Sequence, residues 1–324
     1  MKYTKLSFNL WSKCTSSCAV CLHGCNPNGV ESLSVAKVKD ILDFASKDKD
    51  ITQVYFSGGE IFMDLPVVEE LVSYAALKSL HVICATNGFW SENYKKTQAI
   101  LKKLQDKGLK EINLSVDVYH QKYVKIENIR VLLKALSSLN IKSQISVIID
   151  KKNKYESIRL LGEIAEYATD STIALIPIWT RKSTGEKNDI ELVYCNKSEG
   201  DLYCSLTNGL LIHFNGKVYP CGNFALCGNE QFSVGDINTD NFSTIYERAK
   251  EHLLVNNLIL NGLQPLYKEL KESGFIEQTH FSNGCEFCLH ALEDEKLRSF
   301  IEANILKKDI QRVKRFIYLQ NNLI

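Results

Sequence analysis

The stretch ITQVYFSGGEIFMDLPVVEELVSYAALKS, residues 51–79, followed directly by HVICATN, residues 81–87, decides the fold class of this 324-residue chain. A short run rich in β-branched and aromatic residues ends in glycines, an amphipathic helical pattern follows, and a second short apolar run begins. That is a strand, a crossover helix and another strand. The alternation extends both ways: KLSFNLW and VAKVKDILDFA lie upstream, and YKKTQAILKKLQDKG, EINLSVD, IENIRVLLKALSSLN, KSQISVIID, YESIRLLGEIAEYA and DSTIALIPIW lie downstream. Six strands joined by right-handed crossovers predict an α/β fold, a partial TIM-like (βα)6 barrel with its functional loops at the carboxyl ends of the strands.

The pattern changes near residue 180. Residues 1–180 are expected to form the barrel, the polar stretch 181–200 a linker, and 201–324 a smaller C-terminal α+β domain. In that region GLLIHF and KVYPC flank Asn215-Gly216, a strong hairpin signal, and helical patterns follow around FSTIYERAKEHLLV, LQPLYKELKES and HALEDEKLRSFIEANI. The basic tail (Lys307, Lys308, Arg312, Lys314, Arg315) alternates with apolar residues at helical spacing, which fits a solvated helix face or a partner contact.

Lysine and arginine number 39 against 38 acidic residues, so no global field draws the chain to nucleic acid. No apolar run is long enough to cross a bilayer and the start lacks a signal-peptide core, so no membrane insertion and a cytoplasmic location are expected. In that compartment eleven cysteines read as metal ligands rather than as disulfides.

CTSSCAVC, with Cys14, Cys18 and Cys21 spaced C-x3-C-x2-C, follows the first predicted strand. Three thiolates can hold three irons of a 4Fe-4S cube and leave the fourth open to a ligand. A zinc site, or a ferredoxin-like cluster completed by Cys25, are the other readings of the spacing.

This triad in this position resembles the hallmark of the radical S-adenosylmethionine superfamily. Ser57-Gly58-Gly59-Glu60, after the second strand, resembles the family motif that binds the cofactor's methionyl amino group. Asn87 after the third strand, and Ser115 and Asp117 after the fourth, match family positions where polar side chains meet cofactor or substrate, and Val20 matches the apolar position beside the adenine. Taken from the residues alone, Asn87-Gly88 also fits a turn, and Asp117 a cap. The resemblance implies that the cluster cleaves S-adenosylmethionine to a carbon radical, leaving the protein to aim one C–H bond at it and exclude water.

Cys204, Cys221, Cys285 and Cys288 form a second set, C-x16-C around the hairpin and a remote C-x2-C. Four thiolates can close an auxiliary iron-sulfur cluster or hold a structural zinc. The arrangement resembles the twitch relative of the SPASM extension. Cys84, inside HVICA, reads as core, whereas Cys227, near Cys221, is a candidate hydrogen-atom donor.

Several segments (FSGGEIFMDLPVVEELV, ATNGFW, SVDVYHQKYVKIENI, GKVYPC) look most like epipeptide-type radical peptide epimerases. That resemblance implies a short ribosomally made precursor peptide as substrate, L-to-D epimerisation or a related Cα/Cβ radical modification such as crosslinking, and a reducing partner such as flavodoxin or ferredoxin. Gly222 is a departure, since the family's donor cysteine stands at that position. Dehydrogenation of a small alcohol or amino sugar is the alternative activity, and an iron-sulfur electron-transfer or scaffold protein the alternative class.

Overall fold

A computed structural model describes residues 2–178, 202, 204, 208–222, 232–252, 255–256, 262–276, 281 and 284–304. The six expected strands are present: β1 (Lys5–Asn9), β2 (Gln53–Ser57), β3 (His81–Thr86), β4 (Leu109–Ser115), β5 (Lys142–Ile149) and β6 (Ser171–Pro177). Between them run α1 (Val35–Ala45), α2 (Leu65–Leu77), α3 (Tyr94–Asp106), α4 (Ile126–Ser138) and α5 (Lys154–Ile164). All six strands are parallel and lie in sequence order, the arrangement that right-handed βαβ crossovers produce.

The two faces of this sheet differ in kind. Leu6, Phe8, Val54, Phe56, Val82, Cys84, Ile112, Leu114, Ile145 and Val147 point outward into the main core beneath the helices. Cys84 is fully buried there, as its apolar strand predicts. Alternation places Ser7, Asn9, Tyr55, Ser57, Glu111, Asn113, Ser115, Gln144 and Ser146 on the opposite, inner face. Cross-strand pairs confirm that face: Ser57 Oγ donates to Asn9 Oδ1 (3.4 Å) and Ser146 Oγ to Asn113 Oδ1 (2.8 Å). The barrel therefore has an apolar outside and a largely polar inner wall, interrupted by Ile83 and Ala85 of β3.

Beyond residue 200 come β7 (Gly209–Ile212), β8 (Lys217–Tyr219), β9 (Gly235–Asp236), α6 (Phe242–Lys250), α7 (Leu263–Glu272) and α8 (Gly284–Glu293). β7 and β8 form the expected hairpin. Gly216 adopts a φ of 89°, and Asn215 Oδ1 accepts the Lys217 N–H at 3.0 Å, which explains the Asn-Gly pair. The hairpin does not stand apart. β7 pairs in parallel with β1, from Lys5↔Gly209 to Phe8↔Ile212, and extends the barrel sheet to nine strands. Without it β1 would present an unpaired edge. The helical pattern around residues 290–305 is interrupted at Asp294, whose Oδ1 caps the following turn through Lys296 N–H (2.8 Å) and Leu297 N–H (3.1 Å).

Leu211, Tyr219, Phe232, Tyr267, Leu270, Phe281 and Phe287 build a second core, with Cys204, Cys221 and Cys288 packed into it. Tyr3, fully buried just ahead of β1, ties the two regions together: its hydroxyl reaches Pro220 O (3.1 Å) and Ala249 O (3.2 Å). Tyr3→Phe will deprive both carbonyls of their donor at a cost of about 1–3 kcal/mol. The check is a lower urea midpoint with an unchanged m value.

Candidate functional site

The loop after β1 carries Cys14, Cys18 and Cys21, and backbone hydrogen bonds shape it. Cys14 N–H donates to Asn26 O (3.0 Å), Cys21 N–H to Cys18 O (3.0 Å), and Ser16 N–H to Cys14 Sγ (3.4 Å). Burial pushes the Cys14 thiol up to about 11, with the charges of Glu60 and Cys21 adding to it, and raises Cys18 further, where Cys21, Asp117 and Cys14 add to the burial. Cys21 moves the other way, because the Cys25 thiol donates to its sulfur. Cys25 is thus a buried neighbour of the triad that favours a thiolate at Cys21. Among the described residues no three His, Cys, Asp or Glu side chains are spaced to hold a single metal ion. The ligand sulfurs of a cube stand farther apart than those around one ion.

The Gly-Gly-Glu segment after β2 is stitched to this loop. Gly59 N–H donates to Trp11 O (2.6 Å), Glu60 N–H to Lys13 O (3.0 Å), and Trp11 Nε1–H to Glu60 O (3.1 Å). A Cβ on Gly59 would lie 1.9 Å from Lys13 O, so only glycine permits this approach. Gly58, at a φ of 140°, is similarly pressed against Trp11 O.

Glu60 is buried, and its carboxylate is already bonded. Oε1 accepts Phe62 N–H (3.0 Å) and the Thr86 hydroxyl (2.9 Å), while Oε2 accepts Asn87 N–H (2.7 Å). The side chain pins the loop after β3 to the motif after β2, a clamp the motif alone does not disclose. Burial pushes the Glu60 carboxyl up from its ordinary 4.5 to about 7, against the pull of those three bonds. Since the folded value exceeds the unfolded one, this residue's contribution to stability is fully present below the ordinary value and is lost as pH rises through about 7. In cluster-free protein Glu60→Gln will flatten the pH dependence of the urea midpoint across that window.

Asn87 serves both a turn and the cysteine loop. Its Oδ1 accepts Phe89 N–H (3.0 Å), and its Nδ2 donates to Thr15 Oγ1 (3.0 Å) and Ser16 Oγ (3.3 Å), with Cys14 Sγ 4.0 Å away. Val20 is buried with Cys18, Tyr119 and Ile178. Ser115 ends β4, half-buried on the inner wall. Asp117 is fully buried and caps the turn that follows, through Tyr119 N–H and His120 N–H at 3.0 Å each. Burial pulls the His120 imidazole down, but the Asp117 carboxylate beside it outweighs this and raises it.

Sequence reasoning missed Thr86, His120, His23 and His213. His120 lies three residues after Asp117, a legible i,i+3 spacing. His23 and His213 carry no such signal: they meet where the cysteine loop crosses the β1–β7 junction, with ring centroids 5.4 Å apart and the Asn9 amide 3.1 Å from His23 Nδ1. Burial, helped by His213, pushes His23 down to about 3, so the ring is neutral. Cys204, Cys221, Cys285 and Cys288 share one neighbourhood, for burial raises Cys288 and the charges of the other three raise it further. Cys227 and the basic tail lie outside the described residues.

A cysteine loop after the first strand, backed by a glycine pair and a clamping glutamate, is matched as a whole by one family model, the radical SAM superfamily, over residues 8–154. These residues are a radical SAM domain. The radical SAM family uses S-adenosylmethionine and a 4Fe-4S cluster. The chain is 24% identical over 290 residues to the putative peptide biosynthesis protein YydG of Bacillus subtilis, covering 87% of this chain and 90% of that protein. It is 26% identical over 223 residues to GTP 3',8-cyclase of Clostridium perfringens, covering 65% of this chain and 66% of the cyclase. Among solved structures, BtrN with AdoMet and 2-DOIA aligns at a TM-score of 0.47 and 13% identity, covering 78% of this chain and 86% of BtrN. Among the described residues no helix is long and apolar enough to cross a membrane.

Proposed function

We propose that this radical SAM enzyme takes a hydrogen atom from the Cα or Cβ of a short ribosomally made peptide, with L-to-D epimerisation as the outcome. One observation carries this reading: the similarity to a putative peptide biosynthesis protein runs through nine-tenths of that protein's length. The inner wall supports it. Asn9, Ser57, Asn113, Ser115, Gln144 and Ser146 offer amides and hydroxyls that suit a peptide backbone better than an apolar ligand.

In this reading Cys14, Cys18 and Cys21 hold the cluster, Gly58, Gly59 and Glu60 shape the pocket for the methionyl amino group, and Val20, Asn87, Ser115 and Asp117 build the rest of the cofactor site. When bound, the cluster and cofactor supply a carbon radical able to abstract hydrogen from an unactivated C–H bond. The protein positions that bond and keeps water away. Cys204, Cys221, Cys285 and Cys288 hold an auxiliary iron-sulfur cluster of the twitch/SPASM kind, so that 1–180 is the radical SAM partial barrel, 181–200 a linker and 201–324 the auxiliary-cluster domain with the C-terminal helices. Cys227 returns the hydrogen atom, a low-potential flavodoxin or ferredoxin supplies the electron, and the thiol-rich composition supports a cytoplasmic location.

The test is anaerobic turnover of reconstituted protein in heavy water with candidate short peptides, chosen from any short reading frame found near the gene. Deuterium at Cα with bond order unchanged, lost in Cys227→Ala, supports epimerisation. A loss of two mass units shows oxidation instead. Release of 5'-deoxyadenosine only with a small alcohol or amino sugar points to a dehydrogenase, and no release at all to a scaffold.

A further inference from the structure

The nine-stranded sheet ends in two edges of opposite character. β9 is two residues long and carries the charge of Asp236, and short length and charge both discourage another strand. β6 is seven residues long, reads STIALIP and carries no charge. Its large apolar side chains are open on both faces. Ile173 and Leu175, on the outer face beside the buried Ile145 and Val147 of β5, are 52% and 49% exposed, and Ile176, on the inner face, is 39% exposed. Among the described residues no strand pairs with β6 on its far side. A long apolar edge of this kind is a template for a further strand.

The backbone shows which groups the edge offers. Ile178 N–H donates to Ile149 O (2.9 Å), while Pro177 stands opposite Ile149 in the parallel register. In a parallel ladder the N–H and C=O of one residue point to the same side, and successive residues alternate. Ile178, Ile176, Ala174 and Thr172 therefore face β5, and Ile173, Leu175 and Pro177 face away from it. Ile173 and Leu175 each present an N–H and a C=O to the open side. Pro177 has no N–H, so a ladder built there ends at this residue. The next residue, Ile178, is buried with Cys18, Val20 and Tyr119. The edge thus runs up to the cysteine loop and stops one residue short of it.

We infer that the free edge of β6 docks the substrate peptide as an added strand, and that Pro177 releases the peptide from the ladder beside the cysteine loop. This rests on the reading of a peptide as substrate. Main-chain bonds to Ile173 and Leu175 supply affinity that is largely independent of peptide sequence. Specificity follows from alternation: peptide side chains on the outer face meet Ile173 and Leu175 and are apolar, while those between them turn toward the polar inner wall. What selects a peptide over a second copy of the chain is where the edge leads, since its end adjoins the site.

Amide hydrogen exchange on the cluster-loaded full chain tests this, resolved to single residues, with a short acetylated peptide of alternating valine and threonine as probe. With probe at about ten times its dissociation constant, exchange at Ile173 and Leu175 should slow ~10-fold, while Thr172 and Ala174, which face β5, should not change. Methylating the amide nitrogens of only the valines or only the threonines should abolish this protection in one case and spare it in the other, because an added strand bonds its neighbour at every second residue. Leu175→Pro removes an outward N–H at an edge position where proline is tolerated, and should weaken the probe ~10-fold or more with iron content and melting temperature unchanged. The inference is overturned if the probe leaves both amides unchanged, if the two methylation patterns act alike, or if Ile173 and Leu175 are already protected without peptide. In that last case, protection that grows with protein concentration shows a second copy on the edge, and protection that does not shows another segment of the chain. Should Leu175→Pro fail to fold, the methylated peptides still decide. Exchange needs no turnover, so a peptide that docks and is never modified counts against the proposed chemistry and not against this surface.

Discussion

Replacing Cys14, Cys18 or Cys21 singly by alanine will remove cluster-dependent cleavage of S-adenosylmethionine, a loss greater than the ~10–100-fold cost of disturbing a partner outside the ligand set. The reason is the size of the donor set. Three thiolates already leave one iron of a cube open, so losing one leaves two, too few to retain the cluster. Iron and sulfide content after anaerobic reconstitution, read beside 5'-deoxyadenosine release, checks it. Cys25→Ala is the informative companion: Cys25 touches Cys21 only through a hydrogen bond, so this variant should keep its iron. Full activity in any of the three ligand variants would remove the basis for the proposed cluster site.

Gly59→Ala will have the second largest effect, destabilising the protein by about 3 kcal/mol or more, at the upper end of overpacking costs. The added methyl would stand 1.9 Å from Lys13 O and 3.1 Å from Cys14 N, and both are backbone atoms that no side-chain rotation can clear. Relief requires the cysteine loop to lift away from the segment after β2, which also breaks the bond from Gly59 N–H to Trp11 O. Stability in urea and cluster occupancy should therefore fall together. Gly162→Ala is the control, because a Cβ there meets nothing within 4 Å.

The two variants probe features of different legibility. The cysteine triad and the glycine pair are visible as local spacing behind a strand, and their neighbours in sequence suffice to propose their chemistry. The Glu60 clamp is not visible in that way, because Thr86 and Asn87 lie 26 and 27 residues downstream and are met only through a buried carboxylate. Asp117 shows the limit from the other side. Period-two alternation aligns it with Ser115, but the strand ends at Ser115 and the carboxylate folds back to cap its own turn. It also accepts the N–H of Ile148, in the next strand, which no pattern around residue 117 encodes.

By itself the sequence determined the class of the fold, the order of its six strands and the position of the cysteine loop, because hydrophobic periodicity and ligand spacing are properties of neighbouring residues. Only the tertiary structure decided that β7 joins β1 about two hundred residues away, that four distant thiols share one apolar neighbourhood, and that Asp117 holds a histidine. Those outcomes depend on which strand edge needs a partner and which buried polar group needs a donor. Both conditions are met across the chain rather than along it.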